Sequence, residues 1–203
     1  MFDSAIPHVD INALVSFLED SVAEGTRYED GEIIKFGSML FRVAYLDDSL
    51  TLQEPDLQSF PIAWKLGITQ SMKLMRLQKD ITESVGLVDE IDPPSICGSL
   101  IVGIDLIQEG ETFILERVEP VDSDSGWFVG RNDTVLDYND EANLNCMSVY
   151  QAILNWPQIA GFLALPAGCR IDLLGPITVF SRNGQPLEVK KGSFIDIIAR
   201  PVQ

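Results

Sequence analysis

The apolar residues of this chain change period repeatedly, and that limits the fold more than any single motif does. Ile11, Leu14, Val15, Leu18 and Val22 recur at the spacing of one helical face, with Asp10 as a cap and Gly25 as a stop. Runs at 33–36, 39–46 and 50–53 then read as short strands, and Asp47-Asp48 reads as the turn between the last two, the pattern of a meander. Helical spacing returns over 61–85, where Leu74, Leu77, Ile81 and Val85 form a stripe that Gly86 ends. Further on, 99–106 and 112–117 are apolar runs joined by a hairpin signal at Gln108-Glu109-Gly110-Glu111, and 127–129 is a further short strand. Residues 148–156 are helical through Val149, Ile153 and Leu154, and Pro157 suits the first turn of a short helix after them. Strands are expected at 170–174 and 177–180, a turn at Asn183-Gly184, and a closing strand at 194–199. The pattern predicts an α+β fold of mainly antiparallel sheets with several flanking helices, in one or two small domains. Pro93-Pro94, within 90–95, disfavours helix and sheet interior and marks the expected boundary between regions 1–90 and 95–203.

Charge limits what such a chain can bind. Asp and Glu number 31 against 14 Lys and Arg, a formal charge of −17. Nucleic acid and anionic membrane surfaces would be repelled, whereas a basic protein would be attracted and its encounter accelerated. The bland reading, that acidity serves solubility, stands beside this one. Acids are densest between Glu116 and Glu141, where Asp122, Asp124, Asp133, Asp137, Asp140 and Glu141 are opposed by only Arg117 and Arg131. Cys97, Cys146 and Cys169 lack the spacing of a metal knuckle or redox pair and read as reduced, mostly buried thiols. The N-terminus has acids where a secretory signal has bases, and no apolar run approaches a membrane span, so a cytoplasmic location is expected.

Reactive groups are scarce. His8 is the single histidine, beside Pro7 in what reads as a mobile terminus, a poor basis for a catalytic triad or a zinc site. Asp133, Asp137, Asp140 and Glu141 hint at a calcium loop, but their spacing is not that of an EF-hand and Asn132-Asp133-Thr134 lacks the central glycine. No phosphate loop or dinucleotide fingerprint is present, and neither metal nor cofactor is expected. Three readings remain: a non-catalytic binding protein, an adaptor or regulatory module that acts as a monomer or homodimer, and a hydrolase built on a carboxylate pair.

The string from Asp124-Ser125-Gly126-Trp127 onward carries a resemblance. With Arg117 before it and Gly130, Asp133, Tyr138, Asn143, Pro166 and Gly168 after it, it resembles immunity protein family thirty-three of the bacterial polymorphic-toxin systems, over about residues 95–175. It departs from the family pattern at 128–133, where members carry a further aromatic and a Gly-Asp-Glu run. The resemblance implies an inhibitor that neutralises a cognate toxin by covering a basic surface. The residues expected to meet that partner are Asp122, Asp124, Trp127, Asp133, Asp137, Asp140 and Glu141. Read physically, Asp124 and Ser125 favour a turn, Gly126 permits an unusual dihedral and Trp127 plugs into the core, which makes this motif a structural corner as well.

Overall fold

The computed structural model describes residues 7–47, 49–106 and 112–199. They fall into two compact units, Met1–Leu77 and Gln78–Gln203. The division lies inside a helix; Pro93 and Pro94 belong to the second unit. The fold is α+β, with two mostly antiparallel sheets. No helix among the described residues is long and apolar enough to cross a membrane.

The first unit contains α1 (His8–Ala23) and a meander of β1 (Ile33–Phe36), β2 (Met39–Leu46), β3 (Ser49–Pro55) and β4 (Trp64–Leu66), paired in sequence order. Alternation sends Met39, Phe41 and Val43 inward. His8 opens α1, two residues before the expected cap, so Asp10 sits in the first turn, 3.7 Å from Arg76. The apolar face of α1 is wider than the surface it buries: Leu14 is buried, but Val15 and Val22 are exposed.

α2 (Thr69–Ser84) begins eight residues later than the helix expected from 61, because Trp64–Leu66 pairs with β3 and the left-handed Gly67 separates strand from helix. Its start is set by Glu54. That side chain is 3% exposed and accepts the backbone N–H groups of Gln70 (3.1 Å) and Ser71 (2.7 Å), which are among the donors an N-terminus leaves without intrahelical partners. Replacing Glu54 by alanine strands both donors in a buried place, so a loss of about 2 kcal/mol in unfolding free energy is expected from urea titration.

The second unit is a six-stranded sheet in the order β10-β9-β6-β7-β5-β8, from β5 (Ser99–Gly103), β6 (Phe113–Arg117), β7 (Asp124–Arg131), β8 (Leu144–Ser148), β9 (Arg170–Asp172) and β10 (Thr178–Phe180). The expected hairpin between the two apolar runs does not form. β7 lies between them, parallel to β5 and antiparallel to β6, and the turn signal at 108–111 lies outside the described residues. α3 (Val149–Asn155) starts at Ser148, which shares a reciprocal capping box with Gln151, and Pro157 opens a 3-10 turn as expected. The expected closing strand is instead a helix, α4 (Phe194–Ile198). Ile197 N–H reaches back to Ser193 O, the Asp196 carboxylate accepts from Gly192 N–H, and Ile195 N–H donates to Ser84 Oγ.

The two faces of this sheet differ. Leu100, Val102, Leu115, Trp127, Val129, Ile171 and Val179 point to the core with almost no exposure, joined there by Ile153, Ile159 and Leu163. The outward face carries two cross-strand rows. One runs Phe180, Arg170, Glu116, Phe128, Ile101, Cys146; the other runs Thr178, Asp172, Ile114, Gly130 and then, on β5 and β8, Gly103 and Leu144. None of the side chains in the first row is fully buried.

Candidate functional site

The Asp124-Ser125-Gly126-Trp127 segment is the first half of β7, not a turn ahead of it. Here the pairing of β5 with β7 slips: Ser99 faces Asp124 but Ile101 faces Phe128. The slip is held by the side chains that sequence reasoning assigned to a corner. Asp124 Oδ1 accepts Gly126 N–H at 2.7 Å, its Oδ2 accepts Ser99 Oγ at 3.3 Å, and Ser125 Oγ donates to Ser99 O at 2.7 Å. Gly126 has φ 73°, and a Cβ there would stand 2.2 Å from Val118 O. Trp127 is 1% exposed and its Nε1–H donates to Leu163 O at 2.9 Å.

Arg117 binds this arrangement together. It is 3% exposed, stacks 5.5 Å from the Trp127 ring, and donates to Ser125 O (3.2 Å), Asp92 O (2.5 Å) and Leu165 O (2.6 Å), with the Asp92 carboxylate 3.0 Å away. Burial pulls the Arg117 pKa below its ordinary value, against the opposing pull of Asp92. Cys169 is buried in the same region. Desolvation raises its thiol pKa, Glu90 adds to the rise, and Arg117 works the other way. Contrary to the sequence expectation of mostly buried thiols, Cys97 and Cys146 are exposed.

The acidic residues separate into two groups. Asp122 (φ 52°) lies within the tight turn that enters β7 and Asp124 closes it, whereas Asp133, Asp137, Asp140 and Glu141 follow the far end of the strand, on the order of 20 Å away along it. Of the seven expected contact residues, Trp127 offers no surface and Asp124 is half-buried with both oxygens engaged. The remaining five are exposed.

The loop after β7 is ordered by its own side chains. Asp133 takes a two-pronged bond from Arg131 (3.1 Å each) and one from Thr112 Oγ1 (3.1 Å). Asp137 Oδ1 accepts both the N–H and the Nδ2 of Asn139, at 2.9 and 2.8 Å. Asp140 caps the 3-10 turn Glu141–Asn143 by accepting Ala142 N–H at 3.0 Å. Tyr138 pins the loop to the sheet: its OH donates to Asp105 Oδ1 (2.7 Å) and accepts Arg131 N–H (2.9 Å), and Thr134 Oγ1 donates to the other Asp105 oxygen. The Tyr138 ring lies over Gly103 and Gly130, where a Cβ on either would come within 2.7 Å of it, and meets Phe128 edge-on at 5.0 Å. Desolvation raises the Tyr138 pKa. Asp105 and Gly103 escaped sequence reasoning, although a glycine within an apolar strand run was a signal for close approach; Gly130 was singled out only as part of the family pattern.

Bonding from Arg131 and then Thr112 holds the Asp133 carboxyl below its usual range, and the Asn139 backbone and side-chain donors do the same for Asp137. For a carboxyl depressed in the folded state, the stabilisation is fully present above the unfolded value of about 3.9 and is lost as pH falls through the lower folded value. Amide exchange at Asn139 should therefore be pH-independent in protection between about pH 5 and 7. It should lose protection below about pH 4, while the core strands remain protected.

Shallow grooves occur among the described residues of this unit. One is lined by Gly168, Arg170, Phe180 and Arg182, another by Glu90, Ala167, Cys169 and Arg182. Neither brings two carboxylates together. Among the described residues no three His, Cys, Asp or Glu side chains converge as metal ligands.

Comparison with known proteins gives one family. Residues 77–176 match the model of the Imm33-like domain, so the segment carries the relationship to immunity protein family thirty-three that its motifs implied. The match covers just under half of the chain, from the middle of α2 through β9, and so contains the buried Arg117–Trp127 arrangement, the acidic loop and most of the sheet. No curated protein and no solved structure matches this chain.

Proposed function

We propose that this protein is an immunity-type inhibitor: it binds a basic toxin and covers the surface that the toxin needs, without catalysis of its own. The observation that carries this reading is the Imm33-like segment. The charge supports it, since −17 on a chain of this size steers a basic partner toward it. The loop from Asp133 to Glu141 supports it as well. Asp137 and Asp140 use Oδ1 to fix the loop, and Oδ2 of each is unoccupied among the described residues, so carboxylates are held in place for outside donors. Side chains ordered before binding lose less entropy when they bind. Such an inhibitor acts where the toxin would otherwise be active, in the cytoplasm of the producing cell.

Co-expression with the product of the neighbouring reading frame tests the proposal. Survival of the host and a co-purifying one-to-one complex are expected. Death of the host together with the absence of any complex would remove the reading.

A further inference from the structure

The geometry points to the outward face of the second sheet, and not to the acidic loop alone, as the docking surface for that basic protein. The inference rests on the immunity reading and adds the anchors that reading lacks. Charges at a rim mainly raise the rate of encounter; most of the affinity of a protein interface comes from a few apolar or aromatic side chains at its centre. Trp127, the aromatic residue expected to serve here, is locked in the core. Phe128, its neighbour in β7, points the other way and is half-buried, with Ile101 and Cys146 beside it in one row and Ile114 in the next. Tyr138 joins this apolar floor to the loop by lying against Phe128, so floor and carboxylates form one continuous surface.

Charge says what covers it. The cation in the Phe128 row, Arg170, is already engaged by Glu116 (3.4 Å) and Asp172 (3.7 Å) and lies over Phe180. Arg131 is spent on Asp133 in the same way. What remains around the apolar floor is negative charge: Glu116 and Asp172 together outweigh Arg170, and Asp137, Asp140 and Glu141 are exposed. A second copy would bring −17 against −17, and nucleic acid would be repelled, whereas a folded protein with a Lys/Arg rim around an apolar projection meets both features. Size agrees. Six strands about 4.8 Å apart and roughly 16 Å long present about 400 Å², half of the ~800 Å² per partner of a stable complex, so floor and loop together approach what is needed.

The three cysteines allow a test on the full chain without mutation. Cys146 lies on the proposed surface, Cys97 is exposed outside it, and Cys169 is buried. The probe is the product of the neighbouring reading frame with any toxic activity abolished, and the readout is the rate of N-ethylmaleimide labelling at each thiol by mass spectrometry. Complex formation should slow Cys146 by at least about tenfold and leave Cys97 unchanged. The variants Ile101→Ser and Glu116→Lys should each weaken binding about tenfold, the first through faster dissociation and the second through slower association. A complex that forms while Cys146 labels at its free rate, with both variants binding like the parent, overturns the surface but leaves the immunity reading intact. Protection of Cys146 that depends only on the concentration of this protein makes the occupant a second copy and overturns the inference. Failure to form any complex removes the immunity reading and this inference with it.

Discussion

Exchange of Arg117 for methionine is expected to lower the unfolding free energy by about 3–5 kcal/mol, the range found when one partner of a buried charged network is removed. The size follows from what the guanidinium satisfies. Ser125 O, Asp92 O and Leu165 O all accept from it, and they belong to three segments far apart in sequence. Methionine fills much of the volume and keeps contact with Trp127, but leaves those carbonyls without a donor, at roughly 1–3 kcal/mol for each that stays dry. Asp92→Asn provides the contrast. The Asp92 side chain is 57% exposed, so its loss removes a solvent-screened ion pair and should cost under about 1 kcal/mol. Equilibrium urea unfolding of the two variants separates the possibilities. If both cost the same small amount, Arg117 is held by its ion pair and not by the carbonyls, and the central role given to it here is wrong.

This cluster shows how far the sequence could be read. Arg117 and the Asp124–Trp127 motif were visible as ordered residues, and Asp124 and Ser125 do bond nearby backbone N–H groups, but they do so within a bulged strand and not in the turn that this habit suggested. That Asp92 and Leu165 close around the arginine was not visible, since they lie 25 and 48 residues away and no local rule links them. The same limit explains the missing hairpin. Two apolar runs flanking a polar turn look like consecutive antiparallel strands, yet β7 takes the place between them, a choice made by long-range pairing that propensity does not encode. In α4 the isoleucine-rich run favours a strand by composition, but Ser84 and Asp196 supply helix-end partners and only Ile195 is needed in the core. The acidic composition was plain from the outset. Its division between the two ends of β7 was not, because the strand was read as three residues where it has eight.

That division changes how the charge should act. A single acidic face would meet a partner at once, whereas two groups separated by the length of a strand leave an apolar sheet face between loop and sheet edge to provide the closer contact. The seven residues first expected at the interface thus sort by position: the loop carboxylates point outward, and the motif beside them is given over to holding β7 in place.

The strongest check on that structural role is Gly126, because a second glycine supplies its control. Gly126 and Gly184 have nearly the same dihedral, φ 73° and 70°, so alanine pays the same left-handed backbone penalty of about 1–2 kcal/mol at either site. Around Gly184 nothing lies within 4 Å of the added Cβ, whereas at Gly126 it would stand 2.2 Å from Val118 O and 3.0 Å from Val118 C. Both are backbone atoms, and Val118 N–H is bonded to Gly126 O at 2.9 Å, so the neighbour can retreat only by breaking that pairing. Gly184→Ala should therefore cost about 1 kcal/mol, and Gly126→Ala at least about 3 kcal/mol, through loss of the β6–β7 register at Trp127 and exposure of the indole. Tryptophan fluorescence during urea unfolding reports both quantities, because the Gly126 variant should show a red-shifted native baseline in addition to an earlier midpoint. Equal midpoints for the two variants would mean that the close approach of Val118 has no energetic consequence, and that only the dihedral matters.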